Sequence, residues 1–379
     1  MSSEQKTENA LQRLGGKRLA VAAARLIVGV VFILSGLAKS IDLWGTIYKI
    51  QDYAAVWHWD IPFGLVMFGA ATLALGEFML GAFCFLGCCR RVVPYTLAAI
   101  MAVMLPFTLY IWIKNPVADC GCFGDMIVLS NGATFLKNVV LTALIVPLVM
   151  WNRLLIPYIH KGLQWVAGAV FWVFIVVIAI RGYNVQPIAD FRSFPVGTNL
   201  AALAEEGDNV DYEFVYKAPD GREETFTIDA LPDSTWTFVE RRVLSGSEQT
   251  KDGFYIFDSE GENVAAEAIP ASGDALIVTV PDIEDVTPSH TYQINELYRY
   301  LNPKGIPLVV LLPAAAFLPF WEDLAMPDYP VYVADVLQLK ELVRGHIGVV
   351  WLSDGVILNK TSLGSLHDLN GFKEFINAK

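Results

Sequence analysis

Five long apolar runs in the first half of the chain decide most of what it can fold into. They are Leu19 to Leu37, Pro62 to Leu86, Val92 to Ile113, Ala133 to Trp151 and Leu163 to Ile180. A helix needs about 20 mainly apolar residues to cross a bilayer core, and each run is close to that length. Inside lipid every backbone N–H and C=O must be satisfied within the chain, so runs of this kind read as membrane helices. Composition agrees: 54% of the 379 residues are hydrophobic, too many for an ordinary soluble protein. The first run lies where a signal peptide would. It is long enough to span and lacks a small-x-small cleavage site, so it reads as an uncleaved anchor. Pro106 falls inside the third run, where neighbouring groups are expected to satisfy the carbonyl it frees.

Basic residues in the short connections set the expected orientation. Lys17, Arg18, Arg90, Arg91, Arg153 and Lys161 share one side if every run crosses once, whereas Lys39, Lys49, Lys114 and Arg181 fall on the other. The first side is taken as the cytoplasm. The expected location is the bacterial inner (cytoplasmic) membrane, multi-pass, with everything after Arg181 in the periplasm. Between the first two runs lie Trp44, Tyr48, Tyr53, Trp57 and Trp59. Amphipathic aromatics suit the membrane–water interface, so a re-entrant or surface helix is expected there.

After about Tyr183 the chain reads as a soluble, acidic region. Most of the net charge of −12 belongs to it, which argues against nucleic acid or anionic lipid as its partner. Phe194 to Pro270 reads as β-rich. Tyr212–Tyr216 and Glu224–Ile228 flank the turn signal Ala218-Pro219-Asp220-Gly221-Arg222, and Gly253–Phe257 reads as a further strand. From Asp274 strands alternate with helices. Ala275–Val280 and Pro307–Leu312 are continuous apolar strands, as expected when both faces of a sheet are covered. Helices are expected at His290–Leu301, from an Asp335 cap to Arg344, and at Leu366–Ile376. Val349–Leu352 and Val356–Asn359 form a hairpin around Ser353-Asp354-Gly355. The expected organisation is a cytoplasmic tail (1–18), a four-helix membrane domain (19–155), a fifth membrane helix (156–183), a β-rich extracytoplasmic region (184–273) and an α/β domain (274–379).

Between the third and fourth runs stands Asp119-Cys120-Gly121-Cys122-Phe123-Gly124-Asp125. Away from the apolar runs and their cytoplasmic edge, these are the only cysteines, and the soluble region has none. Residues i and i+2 can reach disulfide distance. The small ring is strained and therefore labile, and the central glycine supplies the backbone freedom it needs. Asp119 and Asp125 would raise the thiol pKa values unless a cation such as Lys114 or Lys39 is near. Redox activity, a static loop-fixing disulfide and metal binding are the readings the spacing leaves open. Arg25 and Glu77 lie within apolar runs, where ionisable groups are costly and usually paired. A mutual ion pair is expected, with a proton or electron-acceptor site as the sharper reading. Cys84 reads as a small hydrophobe, and Cys88 and Cys89 as free thiols. The five histidines have no metal-ligand spacing, no metal site is assigned, and no phosphate-binding or hydrolase motif is present.

Arg25 with Gly29, Ser35-Gly36, Lys39, Gly76-Glu77 and the Asp119–Gly124 signature together resemble the DoxX-like membrane proteins, and within them the methylamine-utilisation MauE type. The resemblance covers about Leu19 to Trp151. It implies a four-span bundle, to which the fifth span here adds a tether. It also implies thiol–disulfide work at the outer face, since MauE is associated with maturation of a disulfide-rich periplasmic dehydrogenase subunit. Nothing in this chain points to methylamine. The last hundred residues resemble a thioredoxin-like domain through Ala275–Val280, Leu339–Gly345 and Val349–Gly355. The redox C-x-x-C would fall at Glu284-Asp285-Val286-Thr287, which has no cysteine, and the expected proline is Ile347. That domain therefore reads as a binding module.

The expected fold is an α-helical membrane bundle, DoxX-like with a fifth tethering span, followed by a soluble α/β thioredoxin-like domain with a β-rich insert. The expected function is thiol–disulfide redox or maturation work through Cys120 and Cys122, supported by Asp119, Gly121 and Asp125. The soluble domain would hold an extracytoplasmic protein partner. A non-catalytic membrane scaffold is the alternative. No cofactor is required by the sequence. A quinone is admissible inside the bundle, with Arg25, Glu77 and Lys39 as the intramembrane residues that would meet it.

Overall fold

Each of the five apolar runs is a helix in the computed structural model, which describes residues 3–117, 119–184, 186–187, 189–207, 212–217, 222–227, 237–243, 253–345 and 347–377. The chain divides into two units, Met1–Phe191 and Arg192–Lys379.

In the first unit α1 runs from Ser3 to Ile41, well before its apolar run begins. Next come α2 (Leu43–Val56), α3 (Phe63–Leu86), α4 (Val93–Lys114), the extended segment β1 (Cys122–Asp125), α5 (Asn131–Met150) and α6 (Gln164–Asn184). Five segments are long and apolar enough to cross a membrane: Leu14–Ile41, Phe63–Leu86, Val93–Lys114, Asn131–Met150 and Lys161–Asn184. Local chemistry sets the helix ends. Asp42 caps α2 by accepting from the Gly45 N–H at 2.9 Å, and Ser130 caps α5. Gly87 ends α3 in the left-handed conformation.

Helices α1 and α3 approach closely along a seam of small residues. A Cβ at Gly36 would collide with the backbone of Phe78, and one at Gly81 with the backbone of Ile33. Small residues that let backbones meet are the usual currency of helix packing in membranes. At one end of the bundle, Trp44 of α2 stacks on Tyr183 with ring centroids 5.0 Å apart. Its indole N–H donates to the Tyr183 carbonyl at 2.9 Å. The last turn of α6 is thereby held beside the start of α2.

The second unit begins with α7 (Leu200–Gly207). Strands β2 (Tyr212–Lys217), β3 (Glu223–Thr227) and β4 (Thr237–Val243) form an antiparallel sheet in the order β3-β2-β4. The expected β2–β3 pairing is present, and the expected turn residues 218–221 lie outside the described residues. Gly253–Phe257 is not a strand. Its N–H groups go to the Leu203 carbonyl and to the side chains of Gln338 and Asn263. Phe257 forms isolated β-bridges to Asn263 and Val333, and the Ile256 carbonyl accepts from the Val264 N–H.

After the short α8 (Ala265–Ala268) come β5 (Asp274–Thr279), α9 (Pro288–Leu301), β6 (Leu308–Leu312), α10 (Leu318–Ala325), β7 (Val331–Val333), α11 (Val336–Leu342), β8 (Gly348–Ser353), β9 (Val356–Ser362) and α12 (Leu369–Asn377). The five strands form one mixed sheet in the order β7-β6-β5-β8-β9. Strands β5, β6 and β7 run parallel to one another, and β8 runs antiparallel to β5 and β9. Side chains alternate between faces along each strand. Ile277, Leu311 and Val350 enter one core with Leu200, Phe254 and Leu339. Val278, Val310 and Trp351 enter another with Leu297, Trp321 and Phe372. Both faces are covered, which is why β5 and β6 read as unbroken apolar runs. The β8–β9 hairpin turns on Asp354 and Gly355, whose φ values of 49° and 74° fit a two-residue hairpin turn. Asp335 caps α11 as expected, accepting from the Leu337 N–H at 2.8 Å.

Candidate functional site

The cysteine loop is pinned to α1 and α2 at the end of the bundle where α6 finishes. Gly121 has φ +65°, a conformation that L side chains rarely adopt, and a Cβ there would lie 2.9 Å from Lys49 Cγ. The Gly121 N–H donates to Asp119 Oδ1 at 2.8 Å, and Asp119 Oδ2 forms an ion pair with Lys49 at 2.7 Å. The Gly124 N–H closes the turn onto the Gly121 carbonyl at 3.1 Å. Tyr53 donates to the Cys120 carbonyl at 3.4 Å. The Cys122 carbonyl accepts from Lys39 and lies within reach of the Ser35 hydroxyl.

This geometry brings the two sulfurs to 3.1 Å from one another, both as thiols. Their acidities diverge. Cys122 is lowered to about 6, first by its hydrogen bond with Cys120 and then because Lys137 and Lys39 face it, against the cost of burial. Cys120 is pushed up by its hydrogen bond to Cys122, by burial and by the neighbouring sulfur charge. The lysines facing Cys122 favour it as the thiolate of the pair. The Tyr53 hydroxyl is also raised, mainly by burial and then by Cys120.

Glu77 sits behind the loop. Lys39 donates to its carboxylate at 2.7 Å and to Ser35 Oγ at 2.8 Å. Ser35 Oγ lies 2.6 Å from the same carboxylate oxygen. The three N–H groups of Lys39 are thus taken by Glu77, Ser35 and the Cys122 carbonyl. The expected Arg25–Glu77 pair is not formed. Arg25 is buried elsewhere, donating to the Ile156 carbonyl at 2.7 Å and lying over the Tyr158 ring. A carbonyl and a ring face satisfy it without a carboxylate, and Lys39 is the cation within reach of Glu77. Lys114 does not reach the cavity wall that the cysteines share. Lys137 does, and it lies 4.7 Å over the Phe123 ring. Among the described residues, no three His, Cys, Asp or Glu side chains gather in a way that could hold a metal ion.

Cys120, Gly121 and Cys122 form part of the wall of a cavity of about 300 Å³ enclosed by α1 to α5. The rest of the wall is mostly apolar and aromatic, with Phe32, Trp57, Leu73, Met104 and Phe107 contributing, and Lys39, Lys49, Glu77 and Lys137 its charged members. Sequence reading named Cys120, Cys122, Asp119, Gly121, Lys39 and Glu77, and the structure brings them together. It missed the roles of Lys49, Tyr53 and Lys137. Lys137 carried a usable signal, because a lysine within an apolar run is a candidate by its cost alone.

A bundle of membrane-length helices with a paired-cysteine loop at one end defines a multi-pass membrane protein with a buried thiol site. Residues 17–151 match the family described as methylamine utilisation protein MauE. That stretch is similar to the MauE type and contains α2 to α5, most of α1 and the whole cysteine loop. Residues 210–244 match a domain of unknown function, DUF8463. No curated protein and no solved structure matches the chain.

Proposed function

We propose that the protein is a thiol–disulfide maturation factor of the bacterial inner membrane. In this reading Cys120 and Cys122 act on its outer face, and the second unit binds the extracytoplasmic partner. The observation that carries this is the pair of sulfurs at 3.1 Å beside Lys39 and Lys137. When the pair is a disulfide, a partner thiolate attacks Cys120 Sγ, the S–S bond breaks, and Cys122 leaves as a thiolate. The sulfur of lower pKa is the better leaving group, and the two lysines face it. The partner's second thiolate then attacks its own bridged sulfur. Cys120 is released and takes a proton, so the partner has lost two electrons and the loop has gained them.

The outer-face placement is supported by the bundle itself. The cysteine loop and the end of α6 lie at one end, while Arg90, Arg91 and Arg153 follow the opposite ends of their helices. The positive-inside tendency makes the arginine end cytoplasmic. The thioredoxin-like reading of the second unit is supported by β5 and β6 running parallel while β8 and β9 return antiparallel. Glu284-Asp285-Val286-Thr287 precedes α9, and Ile347 precedes β8. With no cysteine in this unit, its role is binding.

The test is thiol titration of intact cells with a membrane-impermeant maleimide. Labelling of Cys120 and Cys122 is expected to rise after mild reduction. Labelling that reduction leaves unchanged would contradict a disulfide. A scaffold role is the second reading, favoured by the cysteine-free second unit. It predicts that the Cys120→Ser/Cys122→Ser double variant fully replaces the wild type in cells.

A further inference from the structure

We propose that the cavity beside Cys120 and Cys122 binds a membrane quinone, which accepts the two electrons of the cysteine pair. This rests on the reading of that pair as redox-active and names its electron acceptor.

Four observations converge on this. The cavity, at about 300 Å³, is at the lower end of the size range of small-molecule sites and has the apolar, aromatic wall such sites favour. Part of its wall stands at membrane depth. Leu73, near the middle of α3, lines the cavity and is 45% exposed, so a lipid-dissolved molecule has an approach there. The two sulfurs stand on the same wall. Finally, Lys137 lines the cavity, yet no hydrogen bond or ion pair joins it to another described residue; its recorded contact is the Phe123 ring. The N–H groups of Lys39 are spent on Ser35, Glu77 and the Cys122 carbonyl. Lys137 and the buried, unpartnered Thr46 hydroxyl on the same wall are therefore donors available to a ring carbonyl. A phospholipid acyl chain would fill the same space, but it has no use for that ammonium and accepts no electrons.

The exchange balances. Cys120 and Cys122 lose two electrons and form one S–S bond. The quinone gains those electrons together with two protons, one on each oxygen, and leaves as the hydroquinone. The disulfide so formed is the one the proposed function passes to a partner.

The experiment uses the full chain in phosphatidylcholine nanodiscs, reduced, freed of reductant and kept anaerobic, with decylubiquinone as probe. Saturable quenching of tryptophan fluorescence is expected, with two thiols lost per quinone reduced. The Cys120→Ser/Cys122→Ser variant should bind the quinone without reducing it. Leu73→Trp adds bulk to the α3 wall of the cavity and Met104→Trp to the α4 wall. Either should weaken binding by about tenfold or more, while diamide, a small water-soluble oxidant, still oxidises the pair. Two variants from different helices guard against one that fails to fold. Lys137→Met should weaken quinone binding as well. Oxidation by diamide with no saturable quinone binding would overturn this inference and leave the proposed function standing. Thiols that neither oxidant converts would sink both. Equal quenching by decanol, which has a chain but no ring, would mark an acyl-chain site and also overturn it.

Discussion

Gly121 is the residue on which the sulfur geometry turns. Its φ of +65° and the Lys49 stem against its open side leave no place for a Cβ. An L side chain in that conformation costs about 1–2 kcal/mol. Gly121→Ala is therefore expected to lower thermal stability by that order and to slow closure of the disulfide, as read by melting and by timed thiol quenching. The two thiols should also differ in reactivity. Iodoacetamide should modify Cys122 with a rate that rises through pH of about 6 and falls as acid protonates the thiolate, while Cys120 stays slow at neutral pH. Cys120→Ala removes the hydrogen bond that contributes most, so the Cys122 profile should move to higher pH. Equal rates at both cysteines would contradict the preference for Cys122 as the thiolate. Lys39→Met leaves Glu77 without its cation at a largely buried position. Breaking one partner of a buried pair costs about 3–5 kcal/mol, and Glu77→Gln in the same chain should recover much of it. Most of the site was legible at this scale, because ionisable residues and paired cysteines stand out against apolar runs. The partner of Glu77 was not. Lys39 and Arg25 both precede it in one helix, and the rotation and axial shift of α1 against α3 decide which of them it meets.

At the scale of elements, the seam between α1 and α3 fixes that shift. Gly36 and Gly81 admit the facing backbones, so a larger residue must push the helices apart. Overpacking of this kind costs about 1–3 kcal/mol. Gly36→Leu should cost at least that much. It should also draw Lys39 and Ser35 away from Glu77 and the Cys122 carbonyl, slowing Cys122 alkylation at neutral pH. A melting curve and the alkylation rate check both effects; an unchanged rate in a folded variant would detach the seam from the site. The five membrane helices and the paired strands were readable because length and apolar continuity carry the signal. Gly253–Phe257 misled for a physical reason. Phe254 and Ile256 alternate inward as in a strand and are fully buried. Their N–H groups are satisfied by the Leu203 carbonyl and the Asn263 side chain rather than by a neighbouring strand. Helix α10, only eight residues long, gave no signal of its own.

At the scale of the molecule, the bundle sets where chemistry can occur. The cysteine loop and the last turn of α6 share one end of the bundle. A reporter fused after Lys379 is expected to be active only outside the cytoplasm. A cytosolic reporter would invert the topology and remove the oxidising compartment from the cysteines. The central claim, that Cys120 and Cys122 interconvert between dithiol and disulfide, is tested most directly by equilibrating the full-length protein in glutathione redox buffers. Acid quenching and peptide mass analysis then read the loop. A reversible two-electron transition is expected, and it should disappear in Cys120→Ser and in Cys122→Ser. A pair that stays as two thiols across the whole series would contradict it.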